Sequence, residues 1–143
     1  EVFASDISTK ALEVAKYNNG KNNTNVRFIE SNLFKNIQEQ KFNIIVSNPP
    51  YIRSDVINKL SKQVQNEPHL ALDGGEDGLK FYKKIIEQSC NYIENGYLIL
   101  EIGYDQKEDV ENLLKENKNY SEIKTIQDLS GNDRCVIAKV GKI

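Results

Sequence analysis

Apolar residues recur along this chain with two periods: short runs rich in β-branched and aromatic residues alternate with stretches whose apolar positions fall three and four apart. The first run, Val2, Phe3 and Ala4, predicts a strand that ends at Ser5 and Asp6. Ala11, Leu12, Val14 and Ala15 then put an apolar stripe on a helix, stopped by Asn18, Asn19 and Gly20. Val26, Phe28 and Ile29 predict the next strand, closing at Glu30, Ser31, Asn32, Leu33 and Phe34. Phe42, Ile44, Ile45 and Val46 are too few for a helix and predict a buried strand. Val56, Ile57, Leu60 and Val64 sit at helical spacing, so a helix is expected over roughly 55–66, before Pro68. The Pro, the glycines and the acidic residues of 67–78 predict a long loop, placed to cover the turn after the preceding strand. Leu79, Tyr82, Ile85, Ile86 and Ile93 predict a long helix ending at Asn95 and Gly96, followed by a buried strand over 97–102 and a helix carrying Val110, Leu113 and Leu114. The last two runs, 120–127 and 134–140, flank a connection too short for a crossover helix, so an antiparallel pair is predicted.

The stretch 41–52 organises the rest. Asn48, Pro49, Pro50 and Tyr51 leave the strand at its carboxyl end, and neither proline has an N–H to continue a ladder. The carbonyls of Asn48 and Pro49 are therefore expected to be held rigidly without a strand partner. Open α/β sheets place their chemistry at such turns. Asn48 offers a side-chain acceptor, Pro49 a backbone acceptor and Tyr51 a flat ring. A planar NH₂ group has two donors, so the turn is a seat for an amide or an exocyclic amine.

Asn48-Pro49-Pro50-Tyr51 matches the signature of class I S-adenosylmethionine-dependent methyltransferases that act on planar nitrogens. Further motifs follow: Glu67-Pro68, Ala71-Leu72 with Gly74-Gly75, Asp77-Gly78-Leu79, Tyr82, Ile85-Ile86, Leu100-Glu101-Ile102-Gly103 and Gly131-Asn132-Asp133-Arg134. In this order, over nearly the whole chain, they resemble the HemK-type protein-glutamine methyltransferases, which methylate the Gln of a Gly-Gly-Gln motif in peptide-chain release factors. The resemblance implies a Rossmann-like α/β sheet, mostly parallel with an antiparallel C-terminal strand, and S-adenosylmethionine as cofactor. It implies Asn48, Pro49 and Tyr51 as catalytic residues, with Pro50 beside them in substrate binding, and release factors as the protein substrate. An acidic residue at the end of the second strand of a nucleotide-binding unit accepts hydrogen bonds from ribose hydroxyls, and Asp6 fits that role. Either Asp6 or Ser8 can cap the helix that follows. The family usually has Asp at the position of Asn32, contacting the adenine amino group, with the next residue, Leu33, packing on the base. Asn accepts the same hydrogen bond without charge assistance. Asn48 is placed beside the cofactor as well.

Composition adds boundaries. At 143 residues, 38% hydrophobic and 28% charged, the chain suits one globular domain, expected in the cytoplasm. A formal net charge of −2 gives no general attraction to nucleic acid, and no stretch reads as a membrane span or signal peptide. One histidine and two distant cysteines do not suggest a metal site. Cys90 and Cys135 are expected to be buried, reduced thiols. His69 lies in the 67–78 loop, where a lone histidine is usually solvent-facing, and it is not assigned as a base. The chain begins within a strand, without methionine, and so reads as a truncated catalytic domain, 1–143, lacking the first strand, the Gly-rich turn after it and an N-terminal helical domain. The strand order of the fold then leaves unpaired edges in mid-sheet. Two rival functions are methylation of an exocyclic amine of adenine or guanine in RNA or DNA, and a non-catalytic methyltransferase-like module. Glu101 is left open, either paired or facing out.

Overall fold

The computed structural model describes residues 1–141 and divides the chain into two compact units, Glu1–Gln40 and the remainder from Lys41. In the first, strands β1 (Val2–Asp6) and β2 (Val26–Glu30) pair in parallel, with Asp6 in register with Glu30. Helix α1 (Thr9–Lys21) makes the crossover that a parallel pair requires. Its cap is Ser8, whose Oγ accepts the N–H of Ala11 at 3.2 Å. Asp6 instead accepts the Ser8 N–H on Oδ1 at 2.7 Å, a side-chain turn that fixes the exit from β1.

The second unit holds a four-stranded sheet in the order β3-β4-β6-β5, from β3 (Phe42–Ser47), β4 (Ile93–Glu101), β5 (Tyr120–Gln127) and β6 (Asp133–Val140). β3 and β4 are parallel, whereas β6 runs antiparallel to both its neighbours, as the short connection before it requires. Helices α4 (Lys80–Ser89) and α5 (Lys107–Glu116) bury Tyr82, Ile85 and Ile86 and Val110 and Leu114. With Leu98, Leu100, Ile102, Val136, Ala138 and Val140 these form the core.

Four expectations are corrected. The helix over 55–66 is broken into a 3-10 turn, Ile57–Lys59, and one helical turn, α2 (Lys62–Gln65), with Leu60 extended between them. A twelve-residue helix rises roughly 18 Å. Here the two ends of the segment must return to each other, because Ile52 bridges Asp73 and donates its N–H to Leu72 O at 3.0 Å. The loop after it contains a further helical turn, α3 (His69–Leu72). Second, α4 stops at Ser89 and β4 begins at Ile93, so Asn95 and Gly96 lie inside a strand. They form a bulge: Phe42 pairs with Ile93 but Ile44 with Tyr97, and a Cβ on Gly96 would collide with the backbone of Asn43. Third, β3 is an edge strand of its sheet rather than a buried one, with Ile44 and Val46 54% and 69% exposed. Fourth, Cys90 and Cys135 are free thiols, but half-buried.

Candidate active site

The residues singled out from the sequence gather at the carboxyl ends of strands, in two groups that belong to different units. In the first unit, Asp6 ends β1 and Asn32 follows β2, with the Ser31 N–H bonded to Asp6 O at 3.0 Å. Asp6 and Asn32 are both exposed. Leu33 takes a left-handed φ of 52°, a conformation that costs a non-glycine residue about 1 kcal/mol or more and persists only where its surroundings dictate it. They do so here. Ser31 Oγ donates to Leu33 O at 2.8 Å and accepts the Asn36 N–H at 3.0 Å, while Asn36 Nδ2 donates to Glu30 O at 2.8 Å. The corner therefore displays the carboxamide of Asn32, which makes no hydrogen bond of its own among the described residues. Asp6 keeps Oδ2 without a partner there. An exposed carboxylate oxygen and an exposed carboxamide on adjacent strand ends fit the hydroxyls and amino group of a nucleoside.

In the second unit the two prolines end β3, and the four residues of the turn differ in burial. Pro49 is buried, Pro50 and Tyr51 are half-buried, and Asn48 is exposed. The Asn48 carboxamide and the Pro49 carbonyl are engaged by no hydrogen bond among the described residues. The far side of the turn is laced to the chain at 72–78: besides Ile52 N–H to Leu72 O, Gly74 donates to Ile52 O at 2.8 Å and Ser54 to Gly75 O at 3.0 Å. Asp73 Oδ1 secures the loop by accepting Ser54 Oγ–H at 2.7 Å and Gly75 N–H at 2.9 Å. A Cβ on Gly74 would lie 2.8 Å from Tyr51 Cα, and one on Gly78 would lie 2.6 Å from Tyr51 O, so only glycine allows this approach. His69 is apart from this lacing, with its side chain 68% exposed and Nδ1 3.8 Å from Asp73 Oδ2.

The half-buried Tyr51 phenol feels the charges of Glu101 and Arg134. Burial pushes the phenol above its ordinary pKa and Glu101 adds to this, with Arg134 opposing, so Tyr51 holds its proton throughout the neutral range. Glu101, left open by the sequence, is half-buried at the end of β4. Arg134 is fixed in turn by Asp128 Oδ2, at 3.3 Å from Nε and 3.2 Å from Nη2, and by Ile102 O at 3.2 Å from Nη1. The N–H of Asn132, before Arg134 itself, holds the Asp128 carboxyl below its ordinary range. Glu101 and Arg134 both lie within the motifs read from the sequence, Leu100-Glu101-Ile102-Gly103 and Gly131-Asn132-Asp133-Arg134.

Strands alternating with helices, a parallel series closed by an antiparallel strand, and polar side chains displayed at the strand ends define a class I methyltransferase fold. A methyltransferase from Pyrococcus furiosus shares it, with a TM-score of 0.70 at 22% identity over 99% of this chain and 64% of that one. So does the N-methyltransferase NodS from Bradyrhizobium japonicum in complex with S-adenosyl-l-homocysteine, with a TM-score of 0.54 at 15% identity over 96% of this chain and 64% of that one. Residues 1–75 match the methyltransferase small domain, and the chain belongs to that family. It is similar to the release factor glutamine methyltransferase of Fusobacterium nucleatum, 45% identical over 138 residues, which are 94% of this chain and 39% of that protein. The chain spans about one quarter to one half of the length of the curated relatives it matches. Among the described residues no helix is long and apolar enough to cross a membrane.

Proposed function

We propose that this chain is part of an enzyme that methylates the side-chain amide nitrogen of glutamine in the Gly-Gly-Gln motif of peptide-chain release factors, in the cytoplasm, with S-adenosylmethionine as donor. The observation that carries the reading is the Asn48 carboxamide, exposed and engaged by no hydrogen bond among the described residues, on a turn tied down through Tyr51 O and Ile52. In this reading Asp6 holds ribose hydroxyls, and Asn32 and Leu33 hold the base. When bound, the sulfonium cofactor supplies an electrophilic methyl group. The protein's task is then to hold a poor nucleophile in line, which is chiefly a matter of orientation. The acceptors of Asn48 and Pro49 take the two amide hydrogens, weakening the conjugation of the nitrogen and steering its lone pair. Tyr51 sets the amide plane, with Pro50 beside it. The surplus proton of the methylated amide nitrogen is acidic enough to leave to water, so no side-chain base is required.

Asn48→Ala in the protein as expressed from its gene should lower turnover by about 100-fold or more while cofactor affinity changes by no more than about twofold, because the lost contact acts on the reacting amide. Normal turnover by this variant would refute the assignment. The same preparation, offered release factor, RNA and DNA in parallel, tests the substrate class: methylation of nucleic acid in preference to release factor would move the reading to an exocyclic amine.

A further inference from the structure

We propose that Gln106 is a positioning residue for the turn at 48–51, its side chain bonded to Tyr51 O and to segments packed beside that turn rather than to the first N–H groups of its own helix. Gln106 occupies the N-cap of α5, a position that favours Ser, Asp or Asn because a short side chain can return to the first free N–H groups of the helix. It makes no such bond. Its side chain is turned inward and only 7% of the residue is exposed, which requires every polar atom to find a partner. Nε2 donates to Tyr51 O at 3.1 Å and to Gly78 O at 3.3 Å, and Oε1 accepts the Gly103 N–H at 2.9 Å and faces the Tyr82 hydroxyl at 3.5 Å. The orientation of the amide is unambiguous. Rotated by half a turn, it would set its oxygen against two carbonyls and its nitrogen against an N–H.

One side chain thereby joins four segments: the turn, the 67–78 loop, the end of β4 and helix α4. The Tyr82 hydroxyl also donates to Glu101 O at 2.8 Å, tying α4 to the end of β4. Tyr51 is thus held at its carbonyl by Gln106. Gly78 closes the arrangement, since its Cβ would lie 2.7 Å from Nε2 as well as 2.6 Å from Tyr51 O. The proposal rests on the reading of 48–51 as the reaction turn.

The test compares Gln106→Glu, which sets a carboxylate oxygen against the Tyr51 and Gly78 carbonyls, with Gln106→Met, which keeps the length without donors or charge. In both, turnover at saturating Gly-Gly-Gln peptide should fall roughly 10- to 100-fold, with the affinity for S-adenosylhomocysteine by calorimetry held within about twofold, because misplacing a reacting group by about an ångström costs that much in rate. Amide hydrogen exchange at Ile52, Gly74 and Gly78 should accelerate while the amides of β4 and β6 keep their protection. Wild-type turnover and exchange in either variant would overturn the proposal. So would global unfolding of both, or loss of cofactor affinity in parallel with turnover, since either outcome assigns Gln106 to holding the fold. If the wild-type protein leaves the peptide unmethylated, the substrate reading fails, and the exchange rates at Ile52, Gly74 and Gly78 still decide whether Gln106 holds the turn.

Discussion

Gly78 has a φ of 72° and no room for a Cβ, and Gly20, within α1, has an ordinary helical backbone and nothing within 4 Å of where a Cβ would stand. The same substitution at the two positions has opposite signs. Gly78→Ala should destabilise by about 1–3 kcal/mol from its backbone alone and should also displace Tyr51 O, lowering turnover. Gly20→Ala should stabilise by up to about 1 kcal/mol, since alanine narrows the unfolded ensemble and favours the helix. Urea midpoints of the two variants check both signs. At this scale the sequence was informative where backbone chemistry alone dictates geometry. The two prolines at 49 and 50 forbid a ladder wherever they fall, so the turn could be read directly. Gln106 could not, because three of its partners lie 55, 28 and 24 residues away. The faint signal it left was a residue poorly suited to the start of a helix, three positions after Gly103.

Elements were legible where the local pattern and the long-range pairing agree. β1, β2, β5 and β6 satisfy both, and the structure matches them closely. The apolar spacing of Val56, Ile57, Leu60 and Val64 suits a helix, but the meeting of Ile52 with Asp73 overrides it. Asn95-Gly96 suits a helix stop, yet the fit of Gly96 against β3 makes it a strand bulge. How firmly α4 is tied to the sheet can be titrated. Tyr82 reaches Glu101 O on β4, and Tyr120, at the start of β5, donates to Ile86 O at 2.6 Å and shares a hydrogen bond with Ser89 at 2.8 Å. Burial raises the Tyr82 phenol far above its ordinary pKa and pushes Tyr120 up to about 12. For a group whose folded pKa is raised, the stabilisation is complete below the unfolded value and is lost as the pH climbs through the folded one. The urea midpoint should therefore stay level from about pH 7 to pH 9 and fall above about pH 10, the unfolded value for tyrosine. Tyr120→Phe should cost about 1 kcal/mol at neutral pH and make the alkaline fall shallower. An alkaline limb equally steep in the variant would show that other groups drive it.

On the scale of the whole molecule, apolar burial is divided unevenly between the two units. In Glu1–Gln40 the buried residues are Leu12 and Ser31, beneath a sheet of two strands. The unit from Lys41 contains all the other buried residues among those described, and Leu98, Leu100, Val136 and Ala138 on its central strands are fully enclosed. Two strands with one helix bury too little to outweigh the ordering of some forty residues, whereas a four-stranded sheet with two amphipathic helices is of a size that folds on its own. Native-state amide exchange should therefore separate the units. Amides of β4 and β6 should exchange only through global opening, with free energies equal to that of unfolding, and those of β1 and β2 through local opening several kcal/mol cheaper. Adding S-adenosylhomocysteine tests the proposed cofactor contacts in the same experiment. If Asp6, Asn32 and Leu33 hold it, protection should rise first at Ser8, Ser31 and Lys35, whose N–H groups bond around those residues. Uniform protection of both units without the ligand would mean that they open as one body, and a ligand that left those amides unchanged would remove the first unit from the cofactor site.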